Sequence, residues 1–101
     1  MGLLSFFLGN NKDKIEDFKS RGAIILDVRT KGEYSQGAIP GSKNIPLQII
    51  SGKIKEIEKL NKPVITCCAS GMRSGSAASI LKAHGIETIN GGGWLSLSKK
   101  L

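Results

Sequence analysis

At 101 residues, with 40% hydrophobic and 23% charged side chains, the chain has the composition of one folded domain, which sets aside disorder and a two-domain arrangement. Its net charge of +7 favours acidic partners, yet the twelve lysines are scattered, only three arginines occur and aromatics make up 5%, so no nucleic-acid-binding face is expected. The two cysteines, Cys67 and Cys68, are adjacent; neighbouring cysteines rarely pair, so a disulfide framework is excluded and a reducing, cytoplasmic setting is expected.

The apolar stretch Leu3–Leu8 lacks a charged flank and is too short for a signal-peptide core or a bilayer span. Phe6 stands where a myristoylation pattern needs Ser or Thr. Residues 1–11 are therefore expected to dock on the domain or to fray, as the loosely ordered start of a single domain over 1–101. Asn10 or Asn11 can cap a helix through about Ser20, with Ile15 and Phe18 on its inner side. The run Ala23–Val28 reads as a buried strand. Lys31–Gly41 holds three glycines and a proline, and reads as loop with one helical turn. A short extended piece starts at Ile45, and a helix over Lys53–Leu60 sets Ile54, Ile57 and Leu60 on one stripe. Pro63 leads into a second buried strand, Val64–Cys67. A loop and a helix over Ser74–His84 follow; the helix buries Ala77, Ala78, Ile80 and Leu81, and Gly85 ends it. A last strand, Glu87–Ile89, runs through Gly91–Gly93 to Trp94. Strands alternating with helices predict an α/β fold with a small, mostly parallel central sheet flanked by helices. Sites in such sheets lie at the carboxyl ends of the strands.

The loop after Cys67 is such an end. A nucleophilic cysteine must ionise near neutral pH, so its surroundings must stabilise the thiolate. The run Cys68, Ala69, Ser70, Gly71, Met72, Arg73, Ser74 supplies the means. Its backbone N–H groups can turn inward as an anion-binding nest, and the following helix points its positive end at the sulfur. Gly71 permits the backbone angles, Arg73 adds a permanent charge for an anionic substrate, and Ser70 and Ser74 offer hydroxyls. Cys67 follows the strand pattern and reads as a small apolar core residue. Asp27 at a strand end can border the pocket, Arg29 and Glu33 are expected to pair, and His84 sits at a helix end as a surface charge.

Four segments together resemble the rhodanese-like family over nearly the whole chain: Ile25-Leu-Asp-Val-Arg-Thr-Lys-Gly-Glu-Tyr34, Gly37-Ala-Ile-Pro-Gly-Ser-Lys-Asn-Ile-Pro46, Cys68-Ala-Ser-Gly-Met-Arg-Ser74 and Gly91-Gly-Gly-Trp94. The resemblance implies a sulfurtransferase in which Cys68 takes a sulfane sulfur from thiosulfate or another persulfide, and passes it to cyanide, a thiol or a protein cysteine. It implies no metal and no organic cofactor, and a monomer without membrane span or nucleic-acid partner is expected. Ala38 departs from the family's Gly-His-Ile-Pro, and the Gly-Gly-to-Trp spacing is compressed. Three other readings stand beside this one. The chain could serve as a persulfide carrier without turnover of its own, or as a protein-binding module. The Cys67-x5-Arg73 spacing also matches a phosphatase or arsenate-reductase signature, although the loop glycine falls three residues after Cys68 rather than after Cys67.

Overall fold

In the computed structural model, residues 12–101 are described, so the caps expected at Asn10 or Asn11 and the apolar segment Leu3–Leu8 lie outside the described residues. Strand β3, Val64–Cys68, is buried along its whole length, as a parallel strand covered on both faces must be. It lies between β1 (Ile24–Asp27) and β4 (Thr88–Gly93), with β2 (Lys43–Asn44) beyond β1. The order is therefore β2-β1-β3-β4, and every pairing is parallel. Parallel neighbours need crossover connections, which places the helices on the two faces of the sheet.

The pleat of β3 sorts the core. Val64 and Cys68 face a cluster with Leu26, Ile50, Ile54, Ile57, Ala77 and Leu81. These residues come from β1, the 3-10 helix Leu47–Lys53, α3 (Ile54–Leu60) and α4 (Met72–Ala83). Ile65 and Cys67 face the other way, among Ile15 and Phe18 of α1, whose described residues run 12–20, and Leu97 of α5 (Trp94–Ser98). The short α2 (Lys31–Ser35) follows β1 and is held by a capping box between Thr30 and Glu33. Among the described residues no helix is long and apolar enough to cross a membrane.

Several boundaries differ from the sequence reading, each for a packing reason. The second extended piece is Lys43–Asn44, paired with Leu26 and Asp27, rather than a segment from Ile45. Ile45 instead turns into the core. The 3-10 helix ahead of α3 was not expected, and the apolar stripe of α3 ends at Ile57, because Leu60 is 40% exposed. β3 runs one residue further, to Cys68, because Cys68 takes Gly93 as its register partner. β4 continues through the three glycines instead of stopping at Ile89, and a β-bulge separates its Asn90 and Gly93 pairings.

Candidate active site

Cys68 ends β3, and α4 begins four residues later. An α-helix leaves its first N–H groups without partners, and a side-chain acceptor before the helix normally caps them. Here the N-cap is Gly71, which has no side chain to offer and adopts a left-handed φ of 106°. The sulfur of Cys68 takes over that task. Gly71 N–H donates to Cys68 Sγ at 3.0 Å and Ser74 N–H donates at 3.3 Å. The Ser74 hydroxyl lies 3.3 Å from the same sulfur. Burial opposes ionisation of Cys68. It is outweighed by the Ser74 hydroxyl and by the N–H groups of Ser74, Gly71 and Ser70, which together hold the thiol below its ordinary pKa.

The loop is seated on β4 by space and by one amide. A Cβ on Gly93 would stand 2.9 Å from the Ala69 carbonyl oxygen, and one on Gly91 would stand 2.8 Å from both Ile65 Cγ2 and the Thr66 carbonyl oxygen. Glycine at these positions lets the loop and β3 lie directly against the β4 backbone. Asn90 spans the gap. Its Nδ2 donates to the Gly71 carbonyl at 3.0 Å, and its Oδ1 accepts from Gly92 N–H at 2.9 Å and from the Ser74 hydroxyl at 2.7 Å. Below them the Thr66 hydroxyl donates to the Ser74 carbonyl at 2.8 Å.

The charged residues arrange themselves differently from the expected Arg29–Glu33 pair. Arg29 folds back on Asp27, with Nη2 2.7 Å from Oδ2, and it donates to the Gly37 carbonyl at 2.7 Å. Its guanidinium also stacks on the Trp94 ring, 4.6 Å from the ring centroid. It meets Glu33 only at the backbone carbonyl. Glu33 is held by Thr30 in the capping box, and its carboxylate faces Arg73, with oxygens 2.8 and 3.0 Å from the two terminal guanidinium nitrogens. Arg73 and then Thr30 lower the Glu33 pKa to about 2. Arg73 therefore stands beside the loop already engaged by a carboxylate.

Cys67, one residue before the loop cysteine, lies on the opposite face among Ile15, Phe18, Ile39 and Leu97. Burial, and then the nearby Asp27 carboxylate, push its thiol up to about 12. Cys67 thus faces away from the loop and is held protonated, which counts against the Cys67-x5-Arg73 reading. Of the remaining loop residues, Ala69 and Ser70 are exposed, Met72 is 82% exposed and Ser74 is fully buried. Asp27 is also fully buried, against Arg29. His84 caps the C-terminus of α4 at the surface. Two residues at the site had no role in the sequence reading: Asn90, and Glu33 as the partner of Arg73. An Asn two residues before a glycine is an Asx-turn signal that marks Asn90 locally. Nothing local marks the Glu33–Arg73 pair.

Comparison with known proteins places this geometry among relatives. The model of the rhodanese-like domain family matches residues 10–99. YqhL, an uncharacterized protein of Bacillus subtilis, is 38% identical in a match covering 73% of this chain and 60% of that protein. The thiosulfate sulfurtransferase GlpE of Pseudomonas fluorescens is 31% identical, over 70% of this chain and 64% of its own length. The chain thus spans less than two thirds of either relative. Among solved structures, a rhodanese-related protein from Thermoplasma volcanium matches with a TM-score of 0.73 and 29% identity, covering 88% of both chains.

Proposed function

The chain belongs to the rhodanese-like domain family, and on that premise we propose that it moves sulfane sulfur through a persulfide on Cys68. The observation that carries this reading is the convergence of the Gly71 and Ser74 N–H groups on Cys68 Sγ, at 3.0 and 3.3 Å. These donors favour the thiolate, which attacks the outer sulfur of thiosulfate. A new S–S bond forms, the old one breaks, and its electron pair leaves with sulfite. With a persulfide donor, the leaving group is a thiolate instead. The charge that now resides on the outer sulfur of Cys68–S–S⁻ stays near the same helix N-terminus, which suits an anion. An acceptor thiolate then takes that sulfur and returns Cys68 to its starting state.

The resting sulfur has no exposed surface, which suits a donor that presents a single terminal sulfur atom rather than a bulky phosphoester. Thiosulfate fits that description, and so does a thiol or protein persulfide. The engagement of Arg73 by Glu33 favours a second reading within the same chemistry, in which the chain is a persulfide carrier loaded by another protein.

Intact mass after incubating reduced protein with thiosulfate tests the reading. One added sulfur atom is expected in the parent and in Cys67→Ser, and none in Cys68→Ser. An adduct that survives in Cys68→Ser sinks the proposal. Loading from a persulfide donor, without turnover on thiosulfate, marks the carrier.

A further inference from the structure

The Ser74 hydroxyl has one proton and two acceptors within reach. Cys68 Sγ is 3.3 Å from Ser74 Oγ, and Asn90 Oδ1 is 2.7 Å away. The orientation of the Asn90 amide is fixed by its other bonds. Its nitrogen donates to the Gly71 carbonyl at 3.0 Å and its oxygen accepts from Gly92 N–H at 2.9 Å, so Oδ1 can only accept from Ser74. With the hydroxyl proton on Asn90, Ser74 Oγ is free to accept from the neutral Cys68 S–H. The chain S–H to Ser74 to Asn90 then favours the thiol. Once the thiolate forms, the hydroxyl has reason to turn and donate to sulfur, while Asn90 Oδ1 retains Gly92 N–H.

We propose that Asn90 is a positioning residue for Cys68, acting through the Ser74 hydroxyl: it competes with the sulfur for that proton and so sets the pH at which Cys68 becomes reactive. The proposal rests on Cys68 being the reacting thiol. The charged and titratable groups that act on this sulfur are Arg73 of α4, held by Glu33 of α2, and Cys67 of β3 with Asp27 and Arg29 behind it, alongside the N–H donors of Gly71, Ser74 and Ser70. None of the charged groups hydrogen-bonds to Asn90, but Asn90 also holds the Gly71 carbonyl, and the Ser74→Ala background separates that loop contact from the effect through the hydroxyl.

A double-mutant cycle separates this role from one in which Asn90 merely shapes the loop. The pH profile of alkylation by iodoacetamide is recorded for the parent, Asn90→Ala, Ser74→Ala and the double variant, with the modified cysteine located by peptide mass. Asn90→Ala frees the hydroxyl for the sulfur and is expected to move the midpoint down, making Cys68 about threefold to tenfold more reactive at a fixed pH below the midpoint. In the Ser74→Ala background the same change is expected to leave the midpoint where it is. An equal shift in both backgrounds, or none in either, overturns the proposal. Asn90→Asp offers the hydroxyl a stronger acceptor and is expected to move the midpoint up. A carboxylate there also repels the thiolate directly, so this arm is read in the parent and in the Ser74→Ala background. A downward shift, an upward shift of equal size in both backgrounds, or shifts of one sign for Ala and Asp also overturns the proposal. Modification at a cysteine other than Cys68 sinks the underlying function, and is read from the peptide map independently of any midpoint.

Discussion

Cys67 and Cys68 are the same side chain one residue apart, and neither has exposed surface, yet the protein treats them in opposite ways. Burial alone raises the pKa of a thiol, and it acts on both. At Cys67 nothing nearby outweighs it: the Asp27 carboxylate adds to the rise, and the thiol stands at about 12. At Cys68 the pleat turns the sulfur toward the start of α4, where unpartnered N–H groups accumulate, and the shift reverses sign. The ease of ionisation in this strand is thus decided by which donors a sulfur can reach and not by how deeply it lies.

The widest separation between the two is expected in sulfur transfer. Cys68→Ala removes the attacking atom and is expected to lower the rate by about a thousandfold or more, while Cys67→Ala stays within about twofold in the same assay. Alkylation gives the pH form of the comparison. Labelling of Cys68 is expected to rise with pH and to level off below the ordinary thiol value of 9.0, whereas Cys67 is expected to stay unlabelled there while the protein is folded. The linkage has a definite sign. The folded pKa of Cys67 lies above its unfolded value, so its contribution to stability is complete below about 9 and is lost as pH rises toward about 12. A denaturation midpoint that holds steady across that alkaline window would count against the assignment.

The next largest effect lies beneath Cys67. Asp27 and Arg29 form a buried ion pair, 2.7 Å apart and almost without exposed surface. Neutralising one partner strands the other, so Asp27→Asn is expected to cost about 3–5 kcal/mol in urea denaturation. The same change removes the carboxylate that opposes ionisation of Cys67, so Cys67 is expected to become easier to alkylate under conditions where the variant is folded. A loss of stability without any gain in Cys67 labelling would break the link between the pair and that thiol.

The two cysteines also show what a sequence discloses. The Cys68–Ser74 loop was legible because its parts are contiguous: strand end, glycine, helix start. The parallel sheet was legible in the alternation of apolar runs and helices. Asn90 was not legible as a site residue, because it acts from β4 on Gly71 and Ser74 at the start of α4, 16 to 19 residues away in the chain. Arg29 and Glu33 were expected to pair with each other across the turn after the first strand, and the expectation failed because each had a better partner elsewhere. Asp27 and Trp94 take Arg29, while Thr30 and Arg73 take Glu33. The length of β4 was missed for a related reason. Glycines read locally as loop, whereas here the lack of a side chain is what allows close packing against β3.

That glycine run contains its own comparison. A methyl on Gly91 collides with Ile65, Thr66 and Leu97 in the core, and a methyl on Gly93 collides with the Ala69 carbonyl in the loop. Gly91→Ala is therefore expected to lower stability by about 1–3 kcal/mol, as overpacking does, and to affect sulfur transfer mainly through folding. Gly93→Ala is expected to do the reverse, slowing the reaction of Cys68 more than it lowers the thermal midpoint. Equal ratios of the two effects in both variants would remove the distinction between the core and loop ends of the run.

The smallest expected effect concerns what the loop offers a donor. Arg73 is the permanent cation beside Cys68, and Glu33 occupies its two terminal nitrogens at 2.8 and 3.0 Å. The sulfonate oxygens of thiosulfate have to compete with that carboxylate for Arg73, whereas a persulfide donor has no sulfonate for Arg73 to hold. Glu33→Gln removes the competing charge and leaves the capping box intact, because Gln serves at that position as Glu does. The pair is half-exposed, and such pairs contribute little, so KM for thiosulfate is expected to fall only about twofold to fivefold, with kcat unchanged. Loading from a persulfide donor should be unaffected by the same substitution. An unchanged or higher KM for thiosulfate would show that Arg73 serves the loop's shape alone, and that the selectivity of the site resides in the N–H groups around the sulfur.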